Sequence, residues 1–340
     1  MNQSCINIFL IIISTLLLGN IAAIPFSFDL PEHVTTFVTQ NPRFISASDH
    51  TKLAYYDFMP EKPDAIIIFY HGAGLWSNKL YQYMAQELSQ KYNVGMYLFD
   101  IRGHGNSQGE RGDAPSEKQI YHDISSAINF VKQQHAIPLF LAGHSAGAGL
   151  ILNYNKQSKH KNVDGYILIA PLLGSRGYDI TAKQDDPEKR FLKKLCIFPL
   201  FTAAITNGLL CSHTPAIFFN YPESEKQKDL HMLDYYTAPI AQATTMFAAI
   251  LGWLFPFSGG PEQLFKNLEI PCCVITGQKD EQFIATKIMQ RKDYVPHKVT
   301  SQSLFYTVPE ATHLSVVLHV SDIIALWIQT LNKRKIDHAL

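Results

Sequence analysis

Five short stretches of this chain are apolar almost from end to end: Ala65–Tyr70 (AIIIFY), Val94–Phe99, Leu139–Ala142, Tyr166–Ala170 and Cys272–Thr276. A strand with one face in water alternates polar and apolar residues, so runs without alternation predict strands covered on both faces. Between them, Asn78–Lys91, Glu117–Gln134 and Ala146–Lys156 space their apolar residues at intervals of three and four, which is the period of a helix. Alternating strand and helix predicts a mostly parallel sheet flanked by helices, the α/β class. Two earlier strand-like runs, Arg43–Ala47 and Leu53–Phe58, are joined by turn-forming residues and predict a hairpin in front of it. A chain of 340 residues that is 46% hydrophobic has material for one large domain or two smaller ones.

The alternation stops after Pro171-Leu172-Leu173-Gly174 and resumes near residue 263, an interval too long for an ordinary crossover. Residues 173–262 therefore predict an inserted cap on a core formed by 40–172 and 263–335. Leu195–Pro222 and Tyr235–Pro261 carry no Asp, Glu, Lys or Arg, but Pro199, Gly208 and Pro215 interrupt the first and Pro239 and Pro256 the second. Helix breakers at these positions argue against membrane spans and favour a helical cap. In its second half, MFAAILGWLFPF (246–257), Trp253 and Phe255 are candidates to line an acyl pocket. A transient contact between the cap and a membrane surface is a further expectation, because this much apolar surface exceeds what a small cap can bury.

Residues 1–28 carry no charged side chain, and Ile6–Leu18 (INIFLIIISTLLL) has the character of a secretory h-region. Residues 1–23 are expected to be a signal peptide that exports the protein, with an uncleaved membrane anchor as the alternative. The cysteines form no disulfide framework: Cys196 and Cys211 could pair or stay free, while Cys272 and Cys273 read as small hydrophobes in a core strand. Lys plus Arg and Asp plus Glu are equal at 29 each, so no field gathers nucleic acid, and a neutral or amphiphilic small molecule is the expected partner.

Gly143-His144-Ser145-Ala146-Gly147 follows the run Leu139–Ala142 and opens a helical pattern, the context of a nucleophile elbow that holds a serine hydroxyl at a sharp bend. A serine needs a base for its proton, an acid to orient that base, and donors for the oxyanion that forms. The acid should follow a late strand and the histidine a later one. Asp280 in GQKD, after Cys272–Thr276, is the candidate acid ahead of Glu281 and Asp293, and His313 in ATH is the candidate base ahead of His297 and His319. The oxyanion donors should be backbone amides, one at Ala146 and another in the loop His71-Gly72-Ala73-Gly74 after the strand AIIIFY.

Together, HGAG (71–74), FDIRGHGNSQGERG (99–112), GHSAG (143–147), GQKD (277–280) and ATH (311–313) resemble the serine α/β-hydrolases of the monoacylglycerol lipase and lysophospholipase branch. The resemblance implies a Ser145, Asp280, His313 triad and oxyanion amides at Ala73 and Ala146. It also implies a helical cap over an acyl tunnel, and cleavage of acyl-lipid esters without metal or organic cofactor. Animal monoacylglycerol lipases follow HGAG with an acidic and a basic polar residue, whereas Leu75 and Trp76 stand here. Asp100 and His104 are expected to be structural. Alternatives are a short-chain carboxylesterase or thioesterase, an aminopeptidase of the same fold, and a non-catalytic ligand-binding protein.

Overall fold

The computed structural model describes residues 30–157, 162–173, 192–245 and 261–339. Its main element is an eight-stranded sheet in the order β1-β2-β4-β3-β5-β6-β10-β11. The strands are β1 (Arg43–Ser46), β2 (Lys52–Phe58), β3 (Ala65–Tyr70), β4 (Val94–Phe99), β5 (Leu139–His144), β6 (Gly165–Ile169), β10 (Cys272–Gly277) and β11 (Leu304–Val308). The hairpin β1-β2 is antiparallel and meets β4 antiparallel; from β4 to β11 every neighbouring pair is parallel.

Every residue of β3, β4, β5, β6 and β10 is buried, which is what the uninterrupted apolar runs predict. Helices cover the sheet. Lys79–Tyr92 starts at Asn78, whose side chain accepts the Leu80 amide, and packs against Ser321–Ala339. Glu117–Gln134 starts at Ser116, which accepts the Gln119 amide, and packs against Ala146–Gln157. Cys272 and Cys273 are buried in β10, and burial pushes the Cys272 thiol up to about 12. Cys196 and Cys211 are free thiols, the first half-buried and the second exposed, so they do not pair.

The chain runs outward from β3 to β4 and then returns to place β5 on the other side of β3. The loops leaving β3 and β5 therefore diverge at a switch point, where open α/β sheets form a crevice beyond the carboxyl ends of their strands. The oxyanion loop candidate and Ser145 leave the sheet at this point.

The insertion is not wholly helical. Its described part holds the helices Ile197–Ile205, Glu223–Lys228 and Ala238–Ala243 and a three-stranded antiparallel sheet of β7 (Leu192–Leu195), β8 (Ile217–Phe219) and β9 (Tyr235–Tyr236). Strands of four, three and two residues are too short to print a period-two signature, which is why the sequence predicts helices alone. Trp253 and Phe255 lie outside the described residues, as does the apolar leader.

Candidate active site

Ser145 occupies the bend between β5 and the helix Ala146–Gln157 with φ of +52°, a left-handed conformation that costs a non-glycine residue about 1–2 kcal/mol. Tertiary bonds hold it there: its amide donates to Ile169 O at 2.9 Å and its carbonyl accepts from the Leu172 amide at 3.0 Å. Glycine on either side is a packing requirement. A Cβ on Gly143 would lie 2.4 Å from the Gly147 carbonyl carbon, and one on Gly147 would lie 2.2 Å from Tyr70 O. Ser145 itself is 9% exposed.

Asp280 and His313 come together from the loops after β10 and β11. The backbones of these loops are joined: Gln278 N donates to Val308 O at 2.8 Å and Lys279 N to Ala311 O at 2.9 Å. A Cβ on Gly277 would meet Ala311 O at 2.2 Å, so only glycine permits the approach. Asp280 Oδ1 accepts the amides of Gln282 and Phe283, each at 2.8 Å, and Oδ2 accepts His313 Nδ1 at 2.9 Å. Because a carboxylate only accepts here, Nδ1 carries the proton and Nε2 is the acceptor side of the ring. Burial opposes a charge on His313, but Asp280, with help from Glu281, outweighs it and raises the ring above the ordinary histidine range. The rival acid Glu281 accepts the backbone amide of His313 at 2.9 Å rather than its ring. His297 begins a separate short helix and His319 ends a 3₁₀ turn.

The loop His71–Gly74 lies against the elbow, since a Cβ on Gly72 would stand 3.5 Å from Ser145 Cβ. Gly72 N donates to Tyr81 Oη at 3.1 Å and Gly74 N to Tyr236 Oη at 2.7 Å. Among the described residues no protein acceptor takes the amides of Ala73 or Ala146, the two proposed oxyanion donors.

Asp100 and His104 serve the scaffold. Asp100 accepts the amides of Ser77 at 2.8 Å and Asn106 at 2.9 Å, and burial raises its carboxyl to about 6. His104 donates Nδ1–H to Arg102 O and so accepts at Nε2 from Tyr236 Oη at 2.8 Å. Trp76 donates its indole N–H to Asp229 of the insertion at 2.6 Å.

Sequence reasoning passed over His144 and the tyrosines. His144 Nε2–H donates to His313 O at 2.9 Å, leaving Nδ1 to accept from Tyr81 Oη at 2.9 Å. A chain of bonds thus joins Gly72 to the backbone of His313. His144 does lie inside the GHSAG motif, but Tyr81 sits at a core-spaced position of its helix and carries no local signal.

The family model described as Serine aminopeptidase, S33 matches residues 61–281. The Saccharomyces cerevisiae monoglyceride lipase is 33% identical over 115 residues, covering 32% of this chain and 35% of that protein. Protein phosphatase methylesterase 1 of Candida albicans is 25% identical over 246 residues, covering 72% of this chain and 64% of that protein. In both cases the match spans less than two thirds of the relative's own length. Among solved structures, a soluble variant of the Saccharomyces cerevisiae monoglyceride lipase in complex with a substrate analogue matches with a TM-score of 0.58 at 18% identity, covering 90% of this chain and 99% of that one. At that identity the likeness is one of fold. The chain belongs to the serine aminopeptidase S33 family and has the α/β-hydrolase fold.

Proposed function

We propose that this protein cleaves carboxylic esters of acyl lipids, of the lysophospholipid or monoacylglycerol type, through an acyl-serine intermediate. The observation that carries the proposal is the buried Asp280–His313 pair, with Nδ1–H committed to the carboxylate and the His313 carbonyl bonded to His144, the residue before a serine in a left-handed bend. Ser145 Oγ attacks the acyl carbonyl while His313 Nε2 takes its proton. The Ala73 and Ala146 amides bind the oxyanion, and His313 then delivers the proton to the leaving alcohol. Asp280 holds the imidazole and stabilises its cation. Water, activated by the same histidine, releases the acid.

The lipid assignment is supported by the insertion, which we take to be a cap. Ile197–Ile205 and the turn after it leave Phe198 63%, Ile205 60%, Leu209 82% and Leu210 54% exposed, with no charge between Ile197 and Leu210. An apolar outer face of this kind suits transient contact with an aggregated lipid. The leader suits export; a mature protein beginning near Ile24 is the expected N-terminal sequence.

A fluorophosphonate probe should label the wild type and not Ser145→Ala, and turnover of matched esters should rise from acetate to octanoate. An unlabelled wild type would refute the serine mechanism. A panel led by acetate and falling with chain length would favour a short-chain esterase.

A further inference from the structure

The amide of Ala73 lies between two peptide units whose polar groups are engaged by tyrosine hydroxyls. The amide before it, Gly72 N–H, donates to Tyr81 of the core helix Lys79–Tyr92. The peptide after it is held at both ends from the insertion: Tyr221 Oη donates to Ala73 O, and Gly74 N–H donates to Tyr236 Oη. Gly74 O is taken by the Leu233 amide of the insertion at 2.8 Å. Leu75 N donates back to Gly72 O and Gly74 has φ of +64°, so Gly72–Leu75 is a turn whose third residue must be left-handed, as in type II. The packing is as close as the bonding. A Cβ on Gly74 would meet Tyr221 Cε2 at 2.8 Å and Phe219 Cδ2 at 3.1 Å.

Each hydroxyl has one consistent role. His104 accepts at Nε2, so Tyr236 donates there and accepts from Gly74 with its oxygen. Tyr221 and Tyr236 are buried, which raises both phenols above their ordinary range and keeps them protonated. Of the three amides Gly72, Ala73 and Gly74, only that of Ala73 has no protein acceptor among the described residues.

Resting on the serine-hydrolase reading above, we infer that Tyr221 and Tyr236 are positioning residues for catalysis: the insertion sets the aim of the Ala73 oxyanion donor as well as covering the acyl site. The rate constant for even the shortest ester then depends on two side chains that lie 148 and 162 residues along the chain from the bonds they make. A cap that only encloses the acyl chain would instead act through KM and through chain length.

The test uses p-nitrophenyl acetate, whose acyl group is too short to need an acyl tunnel, with the full-length protein. Tyr221→Phe and Tyr236→Phe are each compared with Tyr166→Phe, which deletes a buried hydroxyl bonded to Asn155 away from these loops. Each cap variant is expected to lose roughly tenfold or more in kcat, because removing a direct oxyanion donor costs about 10²–10³ and misaiming one costs a fraction of that. KM should stay within about twofold, and the affinity for a phenylboronic acid, which forms a tetrahedral adduct on the serine, should fall in parallel with kcat. Melting temperatures identify any variant that misfolds, and either tyrosine alone is sufficient for the test. A kcat within about twofold of Tyr166→Phe in a folded variant, or a loss confined to KM, overturns the inference. Where the folded wild type is not labelled by fluorophosphonate, the serine mechanism falls and this inference with it; a labelled wild type with unaffected variants overturns the inference alone.

Discussion

In β3, β4, β5, β6 and β10 every residue is buried, whereas the helix Ile197–Ile205 of the insertion and the turn after it leave Phe198, Ile205, Leu209 and Leu210 exposed. Both regions are rich in apolar residues, yet only the sheet uses them wholly for its own stability. The insertion has two faces. Inward, Ile217, Phe219, Tyr221 and Tyr236 are buried against the core; outward, four large side chains remain with nothing from the described chain to cover them. Composition cannot separate these uses, because burial depends on what lies opposite each side chain.

The largest effect that tests this division is chemical. Ser145→Ala and His313→Ala should each cost at least about 10³-fold in turnover of any ester, with Asp280→Asn nearly as severe and the double mutants adding little. Melting temperatures should stay close to wild type. A comparable loss from substitution of the outer face of the insertion, in a folded protein assayed on a soluble ester, would break the division between the two regions.

Next in size is packing. Ile67→Ala in β3 removes a side chain with no exposure and should destabilise by about 2–5 kcal/mol in chemical denaturation, whereas Leu209→Ser should stay within about 0.5 kcal/mol. Equal losses would mean that the outer face is buried in solution by something not yet seen. The same Leu209→Ser protein, and Phe198→Ser beside it, should lose several-fold in the ratio of turnover on lipid vesicles to turnover on p-nitrophenyl acetate, since each exposed apolar side chain inserted contributes on the order of 1 kcal/mol. An unchanged ratio would argue against membrane contact.

The smallest effect sharpens the account of the base. His313 must be neutral to accept the serine proton, and its pKa is raised above the ordinary 6.5, so activity should fall as pH drops through that raised value. Glu281 contributes to the raising by its charge. Glu281→Gln keeps an acceptor for the His313 amide but loses the charge, and should move the acid limb of kcat/KM to lower pH; an unmoved limb would assign the shift to Asp280 alone.

Much of this was legible because its signals are local. Five unalternating runs predict five buried strands, and their boundaries fall within a residue or two of β3, β4, β5, β6 and β10. Ser145, Asp280 and His313 each stand just past a strand-like run, where chain order and turn residues point to them. The insertion was less readable. Its strands, of four, three and two residues, are too short to show an alternation, and its contacts with the turn at Gly72–Leu75 cross well over a hundred residues. Nothing near Tyr221 or Tyr236 distinguishes a phenol that bonds a distant amide from one that fills a core. Leu75 and Trp76 were noted as departures from the family pattern, and the Trp76 bond to Asp229 shows one use of that change: it ties the loop to the insertion.

The imidazoles around the turn have a consequence for how the site responds when charge appears in it. His71 is lowered to about 4, and His104 and His144 lie well below the ordinary histidine range, in each case because of burial first. Their ring protons are fixed by carbonyl acceptors: Nδ1 of His71 on Gly72 O, Nδ1 of His104 on Arg102 O and Nε2 of His144 on His313 O. Burial keeps these three rings neutral as frozen dipoles, whereas His313, raised by Asp280, is the one of the four that takes up a proton first as pH falls. In a nitrogen-15 spectrum, three imidazoles would hold constant tautomers while one moves. When His313 becomes a cation during the reaction, its surroundings need neither exchange a proton nor turn a ring to receive it, so little solvent-like reorganisation is left for the chemical step to drive.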